Sequence, residues 1–328
     1  MKNMTLKELL ENPLISDIAP DAISKRDLSK DEFYTWTLQE IAEKMGMKTL
    51  EKGFSALFEN AKRGNYYYKL YSEAECARHP EKSNTNLVYF PSNSKEADNN
   101  PFVLLIPGGG FVNVWNLTEG WPVAKIYNEL KYHVFILTYQ ICVEGSAVRA
   151  MDDIARAMQI IRDKKDEFKV NPDKYSTCGF SAGGYITCLW NTEKGYRAFG
   201  IPKPLACFPV YPITSYKLVK VENWSVGEDK DEFAHSSVGV DMEEACRSCF
   251  EIPEHAEGFP MTALFLAAED DLVPPEHSKL LAKALENLNI PCRLEIGPTG
   301  GHGFADGVGM CMEGWPQRAI SWFEENNK

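Results

Sequence analysis

The spacing of apolar residues changes near residue 65, and this change divides the chain into two predicted parts. Before it, apolar residues recur at helical intervals, with Leu6, Leu9 and Leu10 on one face of a short segment. The run Thr37-Leu38-Gln39-Glu40 has the Thr-x-x-Glu pattern that starts a helix. Residues 1–62 are therefore predicted to form a helical extension, which could be a packed addition, a lid or a dimer contact.

After residue 65, short apolar runs alternate with stretches of helical period. Phe102–Ile106 is apolar throughout, as expected of a strand buried on both faces. We predict strands at 66–71, 86–90, 102–106, 133–138, around 178, 205–210, 262–266 and 293–296. Helices are predicted at 119–130, 148–162, after 181, 275–288 and 316–325. This alternation predicts the α/β class for residues 63–328, with a mostly parallel sheet covered by helices on both faces.

One stretch, residues 211–260, breaks the alternation because it is long, charged and weakly periodic. An insertion of that length between two core strands is usually functional or a cap. It contains the charged run from Glu228 to Glu232, whereas a lid that faces lipid would present apolar side chains. We therefore predict a cap-like insertion that helps to form a pocket for something other than a lipid.

The net charge of the chain argues against two classes of binding partner. The chain has 328 residues, of which 47 are acidic and 35 basic, giving a formal net charge of −12. Nucleic acid and anionic membrane surfaces would repel such a chain. The N-terminus is too charged for a signal peptide, and no apolar run reaches the length of a membrane span. We therefore expect a cytoplasmic protein.

The nine cysteines are odd in number and scattered, which favours reduced thiols over a disulfide framework. The run Cys246-Arg-Ser-Cys249 is the one Cys-x-x-Cys pair in the sequence. No second pair of ligands follows it at the spacing of a zinc site. We therefore expect no metal.

The clearest chemical signal is Gly179-Phe180-Ser181-Ala182-Gly183, between a predicted strand and a predicted helix. In that context Gly-x-Ser-x-Gly forms a sharp turn that presents the serine hydroxyl. Glycines are needed because larger residues would keep the strand and the helix from passing so close to the turn. The start of the helix adds free N–H groups near the hydroxyl. Ser181 is therefore a candidate nucleophile, and the alternative is a turn that only connects two elements.

A serine hydroxyl needs a base, and the base needs a group that holds it. The run Glu269-Asp270-Asp271 follows a predicted strand, and His302 lies in a glycine-rich loop after the last one. The order serine, aspartate, histidine is the one expected for this sheet topology. All three segments follow strands, at the edge where open α/β sheets bind ligands. We therefore predict that Ser181, an acid from this run and His302 form a catalytic triad.

A glycine-rich run, Pro107-Gly108-Gly109-Gly110-Phe111, follows the first strand predicted to be buried on both faces. Acyl transfer passes through an oxyanion, which backbone N–H groups can stabilise if the chain comes close enough. We predict the N–H groups of Gly109, Gly110 and Ala182 as these donors. A phosphate-binding loop is the alternative, but no Lys-Ser or Lys-Thr follows Gly110.

These motifs together resemble the α/β-hydrolase superfamily of esterase/lipase type. The nearest group comprises bacterial acetyl-esterases, carbohydrate-esterases and feruloyl-esterase-like proteins, with a relation to dienelactone hydrolases. The matching runs, which lie within about residues 65–328, are 107–111, 119–122, 179–184, 270–274 and 301–304. The family pattern Asp-x-x-Val selects Asp270 as the acid. Many lipase-like members have His where this chain has Pro107, and this departure points to the branch that acts on small esters.

The resemblance implies a serine carboxylic-ester hydrolase that works through an acyl-enzyme without a metal or organic cofactor. Its expected substrates are short-chain acyl esters, small molecules or oligosaccharides, with acetylated and hydroxycinnamoylated carbohydrate as candidates. Phe111, Trp115 and Trp121 flank the glycine loop and could line the pocket or pack in the core. Two other functions stay open: an amide hydrolase of formamidase or acylaminoacyl-peptidase type, and a non-catalytic binding module. A homo-oligomer also stays open.

Overall fold

A computed structural model describes residues 1–220 and 229–327, and within them eight strands form one sheet. The strands are β1 Tyr67–Lys69, β2 Asn86–Phe90, β3 Phe102–Ile106, β4 Val134–Thr138, β5 Tyr175–Phe180, β6 Ala206–Val210, β7 Met261–Ala267 and β8 Cys292–Gly297. Their order across the sheet is β1-β2-β4-β3-β5-β6-β7-β8. Pairing is parallel from β4 to β8, whereas β2 pairs antiparallel with both β1 and β4. This topology confirms the predicted α/β class and mostly parallel sheet.

The sheet is buried on both faces because alternate residues of its central strands enter two different cores. In β3, Phe102, Leu104 and Ile106 belong to one core, while Val103 and Leu105 belong to the other. This alternation follows from the two-residue period of a strand. It explains why the run is apolar at every position, since neither face of the strand meets water.

Helices cover each face of the sheet. The first core is packed by α6 Ser146–Asp163, α8 Ser181–Trp190, α9 Lys230–Val238, α10 Met242–Arg247 and α11 Glu276–Asn287. The second core is packed by α1 Leu6–Leu10, α2 Leu38–Met45, α3 Leu50–Arg63, α5 Trp121–Glu129 and α12 Trp315–Asn326. The short helices α4 Glu73–Arg78 and α7 Lys165–Phe168 lie in connections. None of the helices in the described ranges is long and apolar enough to cross a membrane.

The N-terminal extension shares the second core with the sheet. Leu6, Leu9 and Ile41 are fully buried in that core. The chain also pairs with the segment after the glycine-rich loop, where Ser24 forms a β-bridge with Val114. Residues 1–62 therefore pack directly behind the edge of the sheet that carries the predicted chemistry.

The predicted insertion packs on the opposite face. Of its described residues, Phe233, Val238 and Ala245 are buried in the first core. Residues 221–228, including the Glu228 that opens the predicted charged run, lie outside the described ranges. The cap-like character of the insertion stays a prediction.

Candidate active site

The turn around Ser181 is built as the sequence predicts for a nucleophile elbow. Strand β5 ends at Phe180, helix α8 begins at Ser181, and Ser181 has a positive φ of 50°. Such a φ is rare for residues with a side chain and marks a strained turn. A Cβ at Gly179 would lie 2.1 Å from the Thr187 hydroxyl, and one at Gly183 would lie 2.1 Å from the Ile106 carbonyl. Gly179 and Gly183 therefore have no room for a side chain, because neighbouring atoms lie too close to the position of a Cβ.

Three loops at the carboxyl edge of the sheet bring the predicted triad together. Ser181 Oγ lies 2.8 Å from His302 Nε2, and His302 Nδ1 lies 2.7 Å from Asp270 Oδ2. With the ring proton on Nδ1, the histidine donates to Asp270 and accepts from the serine hydroxyl through Nε2. This is the arrangement in which an imidazole can remove a proton from a serine hydroxyl.

The carboxylate that contacts His302 is that of Asp270 and not of either neighbour. Its Oδ1 accepts hydrogen bonds from the N–H groups of Leu272 at 3.1 Å and Val273 at 2.8 Å. The side chain is buried, whereas Glu269 and Asp271 are exposed. One carboxylate oxygen thus anchors the loop while the other orients the histidine.

The glycine-rich loop supplies free backbone donors beside the serine. The N–H groups of Gly109, Gly110 and Ala182 make no hydrogen bond with any residue in the described ranges. Gly109 has a φ of 136°, and a Cβ there would lie 2.1 Å from the Asn113 carbonyl oxygen. Gly108, in contrast, donates its N–H to Glu119 Oε2 at 2.6 Å. The three donors predicted for an oxyanion are thus available, and the role itself stays a prediction.

A cavity of about 490 Å³ opens above the triad. Ser181, His302, Gly109 and Gly110 lie in its wall. The N-terminal extension contributes Arg26, Met45, Gly46, Met47, Thr49 and Leu50. Thr49 Oγ1 also donates a hydrogen bond to the buried carboxylate of Asp306 on the histidine loop. Of the described residues in 211–260, only Ile213 lines this cavity.

The three aromatic residues predicted near the pocket have different positions. Trp115 is half-buried and lines the cavity, with the Arg26 guanidinium 5.4 Å from its ring centre. Phe111 is buried against Tyr185, and Trp121 is buried with its ring centre 5.5 Å from that of Phe54. Of the two possibilities left open by the sequence, Phe111 and Trp121 therefore fit packing in the cores on either side of the sheet.

Two residues of the site were not predicted from the sequence. Glu119 is a buried carboxylate in the π-helical turn Asn116–Gly120, and it lines the cavity. Its Oε1 accepts a hydrogen bond of 2.8 Å from the hydroxyl of Tyr211, whose ring centre lies 4.7 Å from that of His302. Burial raises the pKa of Glu119, and the N–H of Gly108, the Tyr211 hydroxyl and His302 oppose that shift. Glu119 was part of a recognised motif, but no sequence spacing connects it with a tyrosine so distant in the chain.

The remaining buried histidine near the site has a structural role. His277 Nδ1 accepts hydrogen bonds from the N–H groups of Thr214 at 3.2 Å and Ser215 at 3.3 Å. Burial lowers the pKa of His277 to about 4, so its ring is neutral at physiological pH. It therefore ties the segment after β6 to the start of α11, behind the acid loop. No group of three or more metal-binding side chains exists within the described ranges.

Sequence comparison matches parts of the chain to one family model and to two curated relatives. The family model BD-FAE matches residues 87–207, a span that contains Ser181 but neither Asp270 nor His302. An acetylxylan esterase from Xylanibacter ruminicola is 25% identical over 209 residues, which make up 62% of this chain and 41% of that protein. An endo-1,4-beta-xylanase B from Butyrivibrio fibrisolvens is 23% identical over 219 residues, 65% of this chain and 34% of that protein. This chain spans less than half the length of these curated relatives.

Solved structures agree on the fold over most of the chain. An acetyl ester-xyloside bifunctional hydrolase from Caldicellulosiruptor lactoaceticus superposes with a TM-score of 0.63 at 21% identity, over 79% of this chain and 95% of that one. A carboxylesterase from Lactobacillus plantarum WCFS1 gives a TM-score of 0.58 at 17% identity, over 74% of this chain and 92% of that one. Both similarities establish the architecture of the sheet and its helices.

Proposed function

We propose that this chain, which has the fold of an α/β-hydrolase, is a serine esterase that removes acetyl groups from carbohydrate. The observation that carries the proposal is the pair of short hydrogen bonds from Ser181 to His302 and from His302 to Asp270, at the wall of an open cavity. A base, its orienting acid and a nucleophile in this geometry are what acyl transfer requires.

The reaction follows from the positions of these groups. His302 Nε2 takes the hydroxyl proton of Ser181 as Oγ attacks the ester carbonyl, and the charge that forms on the carbonyl oxygen is stabilised by the free N–H groups of Gly109, Gly110 and Ala182. The intermediate collapses, the bond between the acyl carbon and the sugar oxygen breaks, and His302 gives the proton to that leaving oxygen, which becomes a free hydroxyl. Water then attacks the acyl-serine with His302 again as base, which releases acetate and restores Ser181.

The choice of an acetylated sugar rests on the cavity and on the names of the relatives. An acetyl group fills only a small part of a cavity of about 490 Å³, and the remaining space can hold a sugar residue. Trp115 provides an aromatic surface in its wall. The similar proteins include one named an acetylxylan esterase and one named an acetyl ester-xyloside bifunctional hydrolase. We therefore place the acyl group beside Ser181 and the sugar toward the cavity mouth.

The proposal is tested by comparing the wild-type chain with Ser181→Ala. We expect the wild type to release acetate from acetylated xylo-oligosaccharides and to cleave p-nitrophenyl acetate faster than the butyrate and decanoate esters. Loss of the nucleophile of a triad lowers kcat by about 10⁶-fold, so Ser181→Ala should be inactive while keeping the wild-type melting temperature and circular dichroism.

The other candidate functions give different results in the same experiment. Faster cleavage of p-nitroacetanilide than of any ester would make the chain an amide hydrolase, and a preference for methyl ferulate would make hydroxycinnamate the acyl group. A fluorophosphonate probe should label the wild type and leave Ser181→Ala unlabelled. If the wild type is neither labelled nor active, the chain is a binding module.

A further inference from the structure

The buried carboxylate of Glu119 takes no part in the steps above, yet it contacts residues beside the glycine-rich loop and His302. Its Oε2 accepts the N–H of Gly108 at 2.6 Å, and its Oε1 accepts the hydroxyl of Tyr211 at 2.8 Å. No lysine, arginine or histidine in the described ranges forms an ion pair with it. A buried charge that is held by hydrogen bonds alone is costly, so its presence at this place calls for a role.

The hydrogen bonds of Glu119 connect the two loops that must act together. Gly108 immediately precedes the free N–H groups of Gly109 and Gly110 on one side. On the other side, the ring of Tyr211 lies 4.7 Å from the ring of His302, and its hydroxyl accepts the N–H of Ala305 at 3.2 Å. Tyr211 has a φ of 37°, so its backbone is held in a strained conformation that delivers the hydroxyl between the loops. One carboxylate thus couples the oxyanion loop to the histidine loop.

The charge of Glu119 also acts on His302. The titratable groups close to Glu119, besides His302, are Tyr211, Tyr139 and Cys178. Burial raises the pKa values of all three above their usual range, so they are neutral at physiological pH. Charged or titratable groups that face His302 or share its cavity are Asp270, Glu119, Tyr211, Ser181, Asp306 and Arg26. Within this set His302 is the group whose protonation the reaction changes.

We propose that Glu119 is a positioning residue, which fixes the oxyanion loop through Gly108, holds His302 in place through Tyr211, and through its charge stabilises the positive ring that forms during acyl transfer. This inference rests on the proposed esterase function. Both oxygens of Glu119 accept hydrogen bonds, and these bonds together with His302 favour the ionised carboxylate against the effect of its burial. The positive ring that forms during acyl transfer is then stabilised from two sides, by Asp270 and by Glu119.

The test uses two substitutions that keep shape and one matched control. Glu119→Gln keeps the volume of the side chain, but its amide N–H₂ faces either the Gly108 N–H or the Tyr211 hydroxyl, which are both donors. Tyr211→Phe keeps the ring against His302 and loses only the hydroxyl. The control is Asp153→Asn, because Asp153 is also buried and accepts a backbone N–H, from Gln140 at 2.8 Å, and a tyrosine hydroxyl, from Tyr71 at 2.7 Å. Asp153 does not line the cavity. Rates on p-nitrophenyl acetate are measured from pH 5 to 9.5 for each variant, for the double variant and for the wild type.

We expect Glu119→Gln to lower kcat by about 10- to 100-fold while KM changes by less than about threefold, because the loss falls on groups that act in the transition state. The rising limb of kcat/KM against pH should move to lower pH by about half a unit or more, since removing a negative charge makes the protonated ring less favourable. Tyr211→Phe should give a smaller loss, and the double variant should be no worse than Glu119→Gln alone. Asp153→Asn should lower the melting temperature and leave the pH profile in place.

The proposal is overturned if Glu119→Gln keeps its kcat within about threefold of the wild type, or if kcat falls with no movement of the rising limb. It is also overturned if Asp153→Asn moves the limb equally. Melting curves at each pH identify a variant that does not fold. If Glu119→Gln does not fold, Tyr211→Phe decides, and a kcat within about threefold of the wild type then overturns the proposal. A wild-type chain that cleaves no ester and takes no fluorophosphonate label would instead refute the proposed function. The two failures are therefore distinguishable.

Discussion

Asp270 performs two tasks with one carboxylate, since one oxygen receives the N–H groups of its own loop and the other receives His302. We predict that Asp270→Asn lowers kcat by about 10⁴-fold, because the amide favours the wrong tautomer of the histidine. Asp271 is exposed and makes no contact with the ring, so Asp271→Asn should stay within about threefold of the wild-type rate. Steady-state rates on one small ester, measured side by side, check both values.

Asp271→Asn is the internal control for this comparison, because it removes the same charge one residue away. A crippled Asp271→Asn beside a near-normal Asp270→Asn would mean that the acid is misassigned by one residue. Melting temperatures should be recorded too, since Asp270 also anchors its loop.

At the scale of single residues, the sequence predicts groups that belong to motifs and misses groups that meet only through the fold. Ser181, Asp270 and His302 each lie in a recognisable run after a strand, and the structure brings them within hydrogen-bonding distance. Glu119 and Tyr211 form a hydrogen bond because the chain takes a strained turn after β6, and the local sequence does not predict that turn. Phe111 and Trp121 flank the glycine loop in sequence, but the direction of a side chain depends on backbone conformation, and both pack in the cores.

At the scale of elements, β5, α8 and the glycine-rich loop form one tightly packed unit. A Cβ at Gly183 would lie 2.1 Å from the carbonyl oxygen of Ile106 and 2.4 Å from that of Pro107. We predict that Gly183→Ala lowers the free energy of unfolding by about 2–3 kcal/mol or more, because the collision is with backbone that cannot turn away. Activity should fall with it, since the loop that carries Gly109 and Gly110 must move. Urea unfolding and ester hydrolysis measure the two effects.

Gly200→Ala separates collision from backbone strain. Gly200 has a φ of 63° and open space around its Cβ position, so the substitution should cost about 1 kcal/mol and leave activity unchanged. Equal stability losses in the two variants would show that the packing at Gly183 is looser than the distances indicate.

Element boundaries were predictable where periodicity was strong. Strand β3 and helix α12 agree with their predicted ranges to within one residue. The aromatic run 66–71 became the three-residue strand β1, because only Tyr67, Tyr68 and Lys69 pair with β2 at the edge of the sheet. The helix predicted at 119–130 begins as an α-helix at Trp121, after a π-helical turn that directs Glu119 into the site. Tertiary contacts determine the length of this strand and the position of this turn, and the local sequence does not reveal those contacts.

At the scale of the whole molecule, a buried acid fastens the N-terminal extension to the sheet. Asp21 accepts a hydrogen bond of 3.0 Å from Asn86 on β2, and its backbone carbonyl accepts one of 2.8 Å from Asn116. Burial raises the pKa of Asp21 to about 7. Between about pH 4 and pH 7 the folded chain therefore holds a proton that the unfolded chain has lost, and this contribution to stability disappears as pH rises through that window.

We predict that Asp21→Asn removes this dependence. The wild type should lose about 2–3 kcal/mol relative to the variant between pH 5 and pH 8, because the variant has no carboxyl to ionise. Denaturant unfolding at both pH values measures the difference. Asp17→Asn, at an exposed position four residues earlier, is the control and should show the same dependence of stability on pH as the wild type. If Asp21→Asn also follows the wild type, Asp21 titrates at an ordinary pH and does not fasten the extension.

The cavity wall contributed by the N-terminal extension has an evolutionary consequence. The serine turn and the glycine loop lie within the span shared with the BD-FAE model, whereas Arg26, Met47 and Leu50 lie outside it. Mutations in these three residues can reshape the site without touching the bonds that perform the chemistry. Selection for a different ester can therefore act on the residues of the extension while the serine turn and the glycine loop are held constant. Descendants of such a protein would come to cleave different esters long before their catalytic mechanism changed.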